Sequence, residues 1–335
     1  MTVRFGILGM GKWARTAHIP NILHLDGTEI AALWSRSAEN REAAAALCPR
    51  RPALFGRWED LVASDEVDAV LVCTPNRQHA SQAIAALRAG KHVLCEKPVA
   101  LVCDEARALK EAADESGSVF ASGYELRSAD VVVASVEAIR SSRIGEVLMV
   151  TGSFWRSWGA MRRGWRGDPA ASGGLIHEIY SHTADLQAYL VGRKPESVCA
   201  RAAAADGPPH WDRLVVESRY PGGAMSVGLL CTRAAGAAES CPFEVCGTDG
   251  RLVGDVVGGR LALHAQGRTT DLSPQRAESP AHGFPGSLEL VREFTECVVG
   301  ARPTVRAGID DALATFHTCL AIERSIETGS VCSCE

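Results

Sequence analysis

The chain has 335 residues, 46% hydrophobic and 22% charged, with a net charge of −5. It is too long for one ordinary core and about right for two domains. The mild negative charge gives no electrostatic ground for binding nucleic acid or an anionic membrane surface, and no apolar run is long enough to span a bilayer.

The N-terminal MTVRFGILG enters a strand pattern at once, without a secretory leader, so a cytoplasmic protein is expected. VRFGILG (3–9) is followed by GKWARTAHIPNILHL, with apolar residues at helical spacing. TEIAALW (28–34) is a strand, AENREAAAALC (38–48) an alanine-rich helix and 59–63 a helical turn. DAVLVCT (68–74) is a third strand, and RQHASQAIAALRAG (77–90) a helix that Gly90 stops. HVLCE (92–96), EARALKEAADESG (105–117) and SVFASG (118–123) complete a strand–helix alternation. Such alternation predicts a parallel sheet with helices on both faces, and the unbroken apolar strands agree with burial on both sides.

After residue 123 the pattern changes. EVLMVTGSFWR, ESVCARAAAA, RLVVESRY, GAMSVGLLC, CPFEVCG and RLALHAQG read as strands joined by Gly, Pro and Asp turns, with helices near 175–191, 286–299 and 309–327. This predicts an α/β chain of two domains. A doubly wound Rossmann domain spans 1–123, and an α+β domain with an open, mostly antiparallel sheet spans 124–335. The stretch 267–286 reads as a long surface loop. None of the twelve cysteines forms a CxxC pair. Cys73 and Cys95 sit in strand-like runs as small hydrophobes, and Cys332 and Cys334 read as free thiols of a tail. Neither a metal site nor a disulfide is expected.

The first strand ends in Gly9-x-Gly11-x-x-Ala14, the GxGxxA pattern. The first glycine makes a tight turn, the second admits a pyrophosphate, and the small third residue lets helix pack on strand. The helix start then offers N–H donors to phosphate. The second strand ends in Trp34-Ser35-Arg36, where a carboxylate would select NAD; serine and arginine suit a ribose 2′-phosphate. NADP(H) is therefore favoured, with NAD(H) left open by the nearby Glu39. The strand 92–95 runs into Glu96-Lys97-Pro98, and the proline holds Lys97 in extended geometry, so the backbone aims its amine at a strand end. In the second half, Glu178, His182 and Asp185 are spaced i, i+4 and i+7 on one predicted helix face. A histidine with a carboxylate one turn away suits a general base.

Gly9-x-Gly11-x-x-Ala14, Cys73-Thr74-Pro75-Asn76-x-x-His79, Glu96-Lys97-Pro98, Trp165-Arg166-x-Asp168-Pro169-x-x-Ser172-Gly173-Gly174 and His182-x-x-Asp185 occur in this order. Together they resemble the glucose–fructose oxidoreductase and inositol dehydrogenase (Gfo/Idh/MocA) family over essentially the whole chain. The resemblance implies hydride transfer between a nicotinamide dinucleotide and a sugar, sugar nucleotide or cyclitol, with cofactor and substrate in a cleft between the domains. It implies Lys97 as the lysine that relays the hydroxyl proton, Glu96 near the nicotinamide ribose and a cis bond before Pro98. It also implies His182 as proton acceptor with Glu178 as its partner or a substrate contact, and a homodimer or homotetramer formed through the C-terminal sheet. The expected cofactor contacts are Gly9, Gly11, Lys12, Trp13, Ala14, Ser35, Arg36, Thr74, Pro75, Asn76, His79, Glu96, Lys97 and Arg166. Glu178 and Tyr180 depart from the aspartate and glycine common in relatives. Tyr180 must close the cleft, bind substrate or pack, and His177 reads as a structural histidine.

For the substrate, Trp155, Trp158 and Trp165 suit a sugar face, and Arg156, Arg162, Arg163 and Arg166 suit an anion. Trp165 and Arg166 have the best support from the resemblance. Tyr124, Arg127, Tyr180 and Asp185 complete the expected substrate contacts. Two other activities fit the same motifs: a lyase that recycles a tightly bound dinucleotide, and a non-catalytic NADP sensor. Joint presence of Lys97 and His182 argues against the sensor.

Overall fold

The structure is a computed structural model that describes residues 1–157, 163–205, 207, 210–233, 239–275, 280–281 and 284–335. The chain divides into two compact units, Met1–Glu125 with Glu278–Leu313, and Leu126–Ala277 with Ala314–Glu335.

The first unit carries a six-stranded parallel sheet. Its strands are β1 (Val3–Leu8), β2 (Thr28–Trp34), β3 (Ala53–Phe55), β4 (Ala69–Val72), β5 (His92–Cys95) and β6 (Phe120–Ser122), in the order β3-β2-β1-β4-β5-β6. The order reverses between β1 and β4, the topological switch point at which doubly wound sheets take ligands. Both faces are covered. Leu61, Val67, Leu87 and Leu109 pack on one side, and Ile19, Ile22, Leu33 and Leu71 on the other. Two-sided burial is why these strands read as apolar runs without alternation.

The expected boundary at residue 123 falls beside the end of the first segment at Glu125, and the first unit takes in a second segment, Glu278–Leu313. Helix Ser287–Val298 returns to it and seats Leu288, Val291 and Phe294 among Phe5, Ile7 and Met10. Apolar periodicity tells that a helix has a face to bury but not which layer receives it.

The second unit holds a nine-stranded sheet. Its strands are β7 (Val147–Trp155), β8 (Ser197–Ala203), β9 (Arg213–Arg219), β10 (Met225–Cys231), β11 (Pro242–Gly247), β12 (Gly250–Asp255), β13 (Arg260–Ala265), β14 (Arg268–Asp271) and β15 (Cys332–Ser333). They lie in the order β14-β13-β12-β11-β7-β10-β9-β8-β15. Every pairing is antiparallel except β7 with β10. Helix Ser181–Val191 packs on β7 and β10, and Gln187 Nε2 donates to the Val227 carbonyl at 2.9 Å. Several elements escaped the sequence, the short strands β3 and β15 among them. Helix Asp130–Arg140 forms despite its valine run, burying Val131, Val132, Ser135 and Val136. Strand β12 was unassigned, and β14 lies within the stretch read as loop.

Candidate active site

The glycine turn is shaped by its neighbours. Gly9 has φ +97°, and a Cβ there would lie 2.4 Å from the Cys73 carbonyl oxygen, so both conformation and space require glycine. A Cβ at Gly11 would meet nothing within 4 Å, leaving open space beside the start of the helix. Ala14 is fully buried, so a larger residue would part helix from sheet. The first N–H groups of that helix have no intrahelical partner to serve. Glycine turn, open helix start and switch point thus fit a dinucleotide pyrophosphate. Arg36 and Lys12 are exposed, and Ser37 caps the helix Ala38–Ala45. The Ser35 carbonyl accepts from Arg41.

Next along the rim, Cys73 N donates to the Leu8 carbonyl at 2.8 Å, and Thr74 Oγ1 donates to Gln82 at 2.7 Å. Pro75 precedes the short turn Asn76–Gln78, in which Asn76 is buried. His79 was expected to touch cofactor. It is buried, with Nδ1 2.8 Å from the Pro98 carbonyl and Nε2 2.8 Å from the Thr74 carbonyl, so it ties two turns together. It is the first residue of the helix His79–Arg88.

At the end of β5, Glu96 N donates to the Val72 carbonyl at 2.9 Å, and the Lys97–Pro98 bond is cis. Glu96 was expected at the nicotinamide ribose. Its Oε1 instead accepts from Trp13 Nε1 at 2.9 Å and lies 2.6 Å from His18 Nε2. Its Oε2 accepts from Lys97 N at 3.3 Å, and a Cβ on Gly123 would lie 2.8 Å from it. Burial pushes this carboxyl up, but the hydrogen bond and charge of His18, the charge of Lys97 and the Trp13 N–H outweigh it and hold it at about 2. Trp13, likewise expected at cofactor, spends its indole N–H on Glu96. Sequence reading missed His18. Residues 14–18 form a π turn, with Ile19 N bonded to the Ala14 carbonyl. That widening brings Trp13 and His18, five residues apart, edge to face at 6.2 Å, a pairing an α-helical reading does not foresee. Tyr124 was expected at substrate but is buried in the first unit's core, among residues such as Phe120 and Ala307.

In the second unit, Asp168 caps the short helix Pro169–Ser172, and Ser172 Oγ donates to the carbonyls of Arg166 and Asp168 at 3.2 and 3.0 Å. This self-bonded turn presents Arg166, whose Nε donates to Glu178 Oε1 at 2.9 Å while its guanidinium lies 4.3 Å from the Trp165 ring centre. A second π turn, Ile176–Tyr180, carries Glu178 and leads into the helix bearing His182, which is half-buried. π turns recur at functional sites. His177 is buried against Phe316, 3.4 Å from Glu323, in keeping with a structural histidine.

Three of the expected substrate contacts are paired or packed within the protein. Arg127 and Asp185 form a bidentate pair at 2.9 and 2.8 Å, with side chains 5% and 1% exposed, and Thr315 Oγ1 donates to the same carboxylate at 3.1 Å. Two opposite charges that deep satisfy each other. Tyr180 is buried, and a Cβ on Gly228 of β10 would fall 2.0 Å from its hydroxyl, so the tyrosine fills space that a strand glycine leaves. Trp155 ends β7 half-buried, bridged to Ser240. Arg156 pairs with Glu239 at 3.0 Å, and Arg163 is exposed. Trp158 and Arg162 lie outside the described residues.

A sheet that reverses order over a glycine turn is built for a dinucleotide, and Lys97 follows directly on a strand of the same sheet. By class this is a nicotinamide-dependent oxidoreductase. Comparison with known proteins agrees: residues 3–124 match the oxidoreductase family with an NAD-binding Rossmann fold, and residues 132–253 match the Gfo/Idh/MocA C-terminal domain. The chain belongs to the Gfo/Idh/MocA oxidoreductase family and is an oxidoreductase with an NAD-binding Rossmann domain. It is 31% identical to 1,5-anhydro-D-fructose reductase of Ensifer adhaerens over 339 residues, covering 99% of this chain and 98% of that one. Its fold matches an oxidoreductase domain protein from Kribbella flavida with TM-score 0.91, 24% identity and full coverage of both chains. Levoglucosan dehydrogenase in complex with NADH matches with TM-score 0.90, 20% identity and full coverage of both.

Proposed function

We propose that this enzyme moves hydride between NADP(H) and the carbinol carbon of a sugar, sugar nucleotide or cyclitol, with Lys97 and His182 handling the proton. The observation that carries this reading is the place of Glu96-Lys97-Pro98 directly after β5, two strands from the glycine turn in the same sheet. When bound, the nicotinamide supplies or accepts the hydride. Lys97 Nζ hydrogen-bonds the substrate hydroxyl and takes or returns its proton. His182 is the second proton-handling group, and Glu178 is held by Arg166 one turn before it. Trp165 and Arg166 are the proposed substrate contacts. Relatives named for 1,5-anhydro-D-fructose and levoglucosan favour cyclic polyols and their ketones as the first compounds to try.

Gly9, Gly11, Lys12 and Ala14 would hold the pyrophosphate, Thr74, Pro75 and Asn76 would line the nicotinamide side, and Ser35 and Arg36 would meet the adenine ribose. Arg36 supports NADP(H) over NAD(H), because an exposed guanidinium at the end of β2 can fork onto a 2′-phosphate. The enzyme is further proposed to act in the cytoplasm as a homodimer or homotetramer. Met149, Val215 and Val253 are exposed on the face of the second sheet opposite its helix, an apolar surface that suits a second copy of this chain. Among the described residues no helix is long and apolar enough to cross a membrane.

The test is a screen of polyols, cyclitols and sugar nucleotides that follows nicotinamide absorbance with each cofactor. Turnover of a polyol is expected, and Lys97→Ala should abolish it while dinucleotide binding survives. Unchanged turnover in that variant would remove Lys97 from the reaction.

A further inference from the structure

His18 belongs to no part of the chemistry above, yet it is a titratable side chain only 1% exposed. Its Nε2 lies 2.6 Å from Glu96 Oε1, and among the described residues its Nδ1 has no hydrogen-bond partner. A buried imidazole with one polar commitment identifies that commitment as its task. Both carboxylate oxygens of Glu96 in turn are engaged. Trp13 donates to the oxygen that His18 meets, Lys97 N donates to the other, and only a glycine at 123 leaves space for that second oxygen. Both gripping side chains come from one place, the helix start that follows the glycine turn.

We propose that His18 is a positioning residue for Lys97. With Trp13 it clamps the Glu96 carboxylate, so that the helix start receiving the pyrophosphate and the turn projecting the lysine move as one body. The proposal rests on the role given to Lys97 above. Its consequence is that occupancy of the glycine turn is felt at the lysine through two side chains and one carboxylate. A π turn is the backbone device that permits this, since it puts residues 13 and 18 on the same side of the helix.

Amide hydrogen exchange tests the clamp directly, because the Lys97 N–H is one of the bonds it maintains. In His18→Leu, exchange in the 94–100 peptide should rise about tenfold, the size expected on losing one charge-assisted hydrogen bond, while peptides from β4 and β6 keep wild-type protection. His18→Gln, which retains an N–H donor of similar reach, should restore protection. Saturating NADPH should slow exchange at 94–100 in the wild type and in His18→Gln but not in His18→Leu. On a substrate found by the screen, kcat of His18→Leu should fall about 10- to 100-fold with little change in KM, the signature of a misplaced catalytic group. If His18→Leu does not fold, Trp13→Phe, which keeps the ring and removes the N–H, should shift the same peptide in the same direction. Unchanged exchange at 94–100 in the folded variant would overturn the proposal, as would a rise spread evenly over the first unit. Should the wild type turn over nothing, the reading of Lys97 fails, and the exchange data still decide whether the clamp exists.

Discussion

Arg36 and Glu39 put opposite charges near the end of β2, and which one meets the adenine ribose decides the cofactor. Arg36 is exposed directly after the strand, whereas Glu39 lies in the first turn of the helix that Ser37 caps. Arg36→Ala should weaken NADP binding about tenfold or more, the range for a charged hydrogen bond, and change NAD binding less than about threefold; fluorescence titration with both dinucleotides measures this, and equal losses would remove the preference. Glu96 makes a second prediction. Its folded pKa of about 2 lies below the ordinary 4.5, so the stabilisation is complete above about 4.5 and is lost as pH falls from there toward 2. The shift corresponds to roughly 3 kcal/mol. Urea unfolding across that pH window should show the wild type losing more stability than Glu96→Gln, which has no carboxyl to protonate.

Single elements show what a sequence can and cannot disclose. GxGxxA and the Glu96-Lys97-Pro98 turn were legible because each depends on neighbours in the chain: a strand end, a helix start, a proline. Tyr180 was not, because its space comes from Gly228, on a strand 48 residues later. Nor was the Arg127–Asp185 pair, since two charged residues 58 positions apart carry no local sign that they are buried together. The π turns were invisible for a related reason: helical periodicity assumes the regular winding that they break. Tyr180 is open to a simple check. Its hydroxyl is buried, and among the described residues it has no hydrogen-bond partner. Tyr180→Phe should therefore raise stability by about 1 kcal/mol, read as a Tm gain of about 2 °C, with KM for substrate unchanged. A large rise in KM would return Tyr180 to the binding site.

For the molecule as a whole, the alternation of strand and helix announced the first sheet, and the shift to short, turn-linked strands announced the second. What it could not announce was a first unit assembled from two separate segments, Met1–Glu125 and Glu278–Leu313. The outer face of the second sheet supplies a test at this scale. Met149, Val215 and Val253 are 39%, 50% and 36% exposed, and light scattering should find a dimer or tetramer that Val215→Asp dissociates; a monomeric wild type would refute the assembly. The return of helix Ser287–Val298 to the first sheet also bears on biosynthesis. Phe294 lies 6.0 Å from Phe5, and Asn21 Nδ2 donates to Ser287 Oγ at 3.2 Å. A nascent chain that has just left the ribosome with β6 complete thus has the underside of its glycine turn still bare, and must wait for helix Ser287–Val298 to emerge before that surface is sealed. A chain cut short before residue 287 keeps the apolar surface around Phe5, Ile7 and Met10 uncovered.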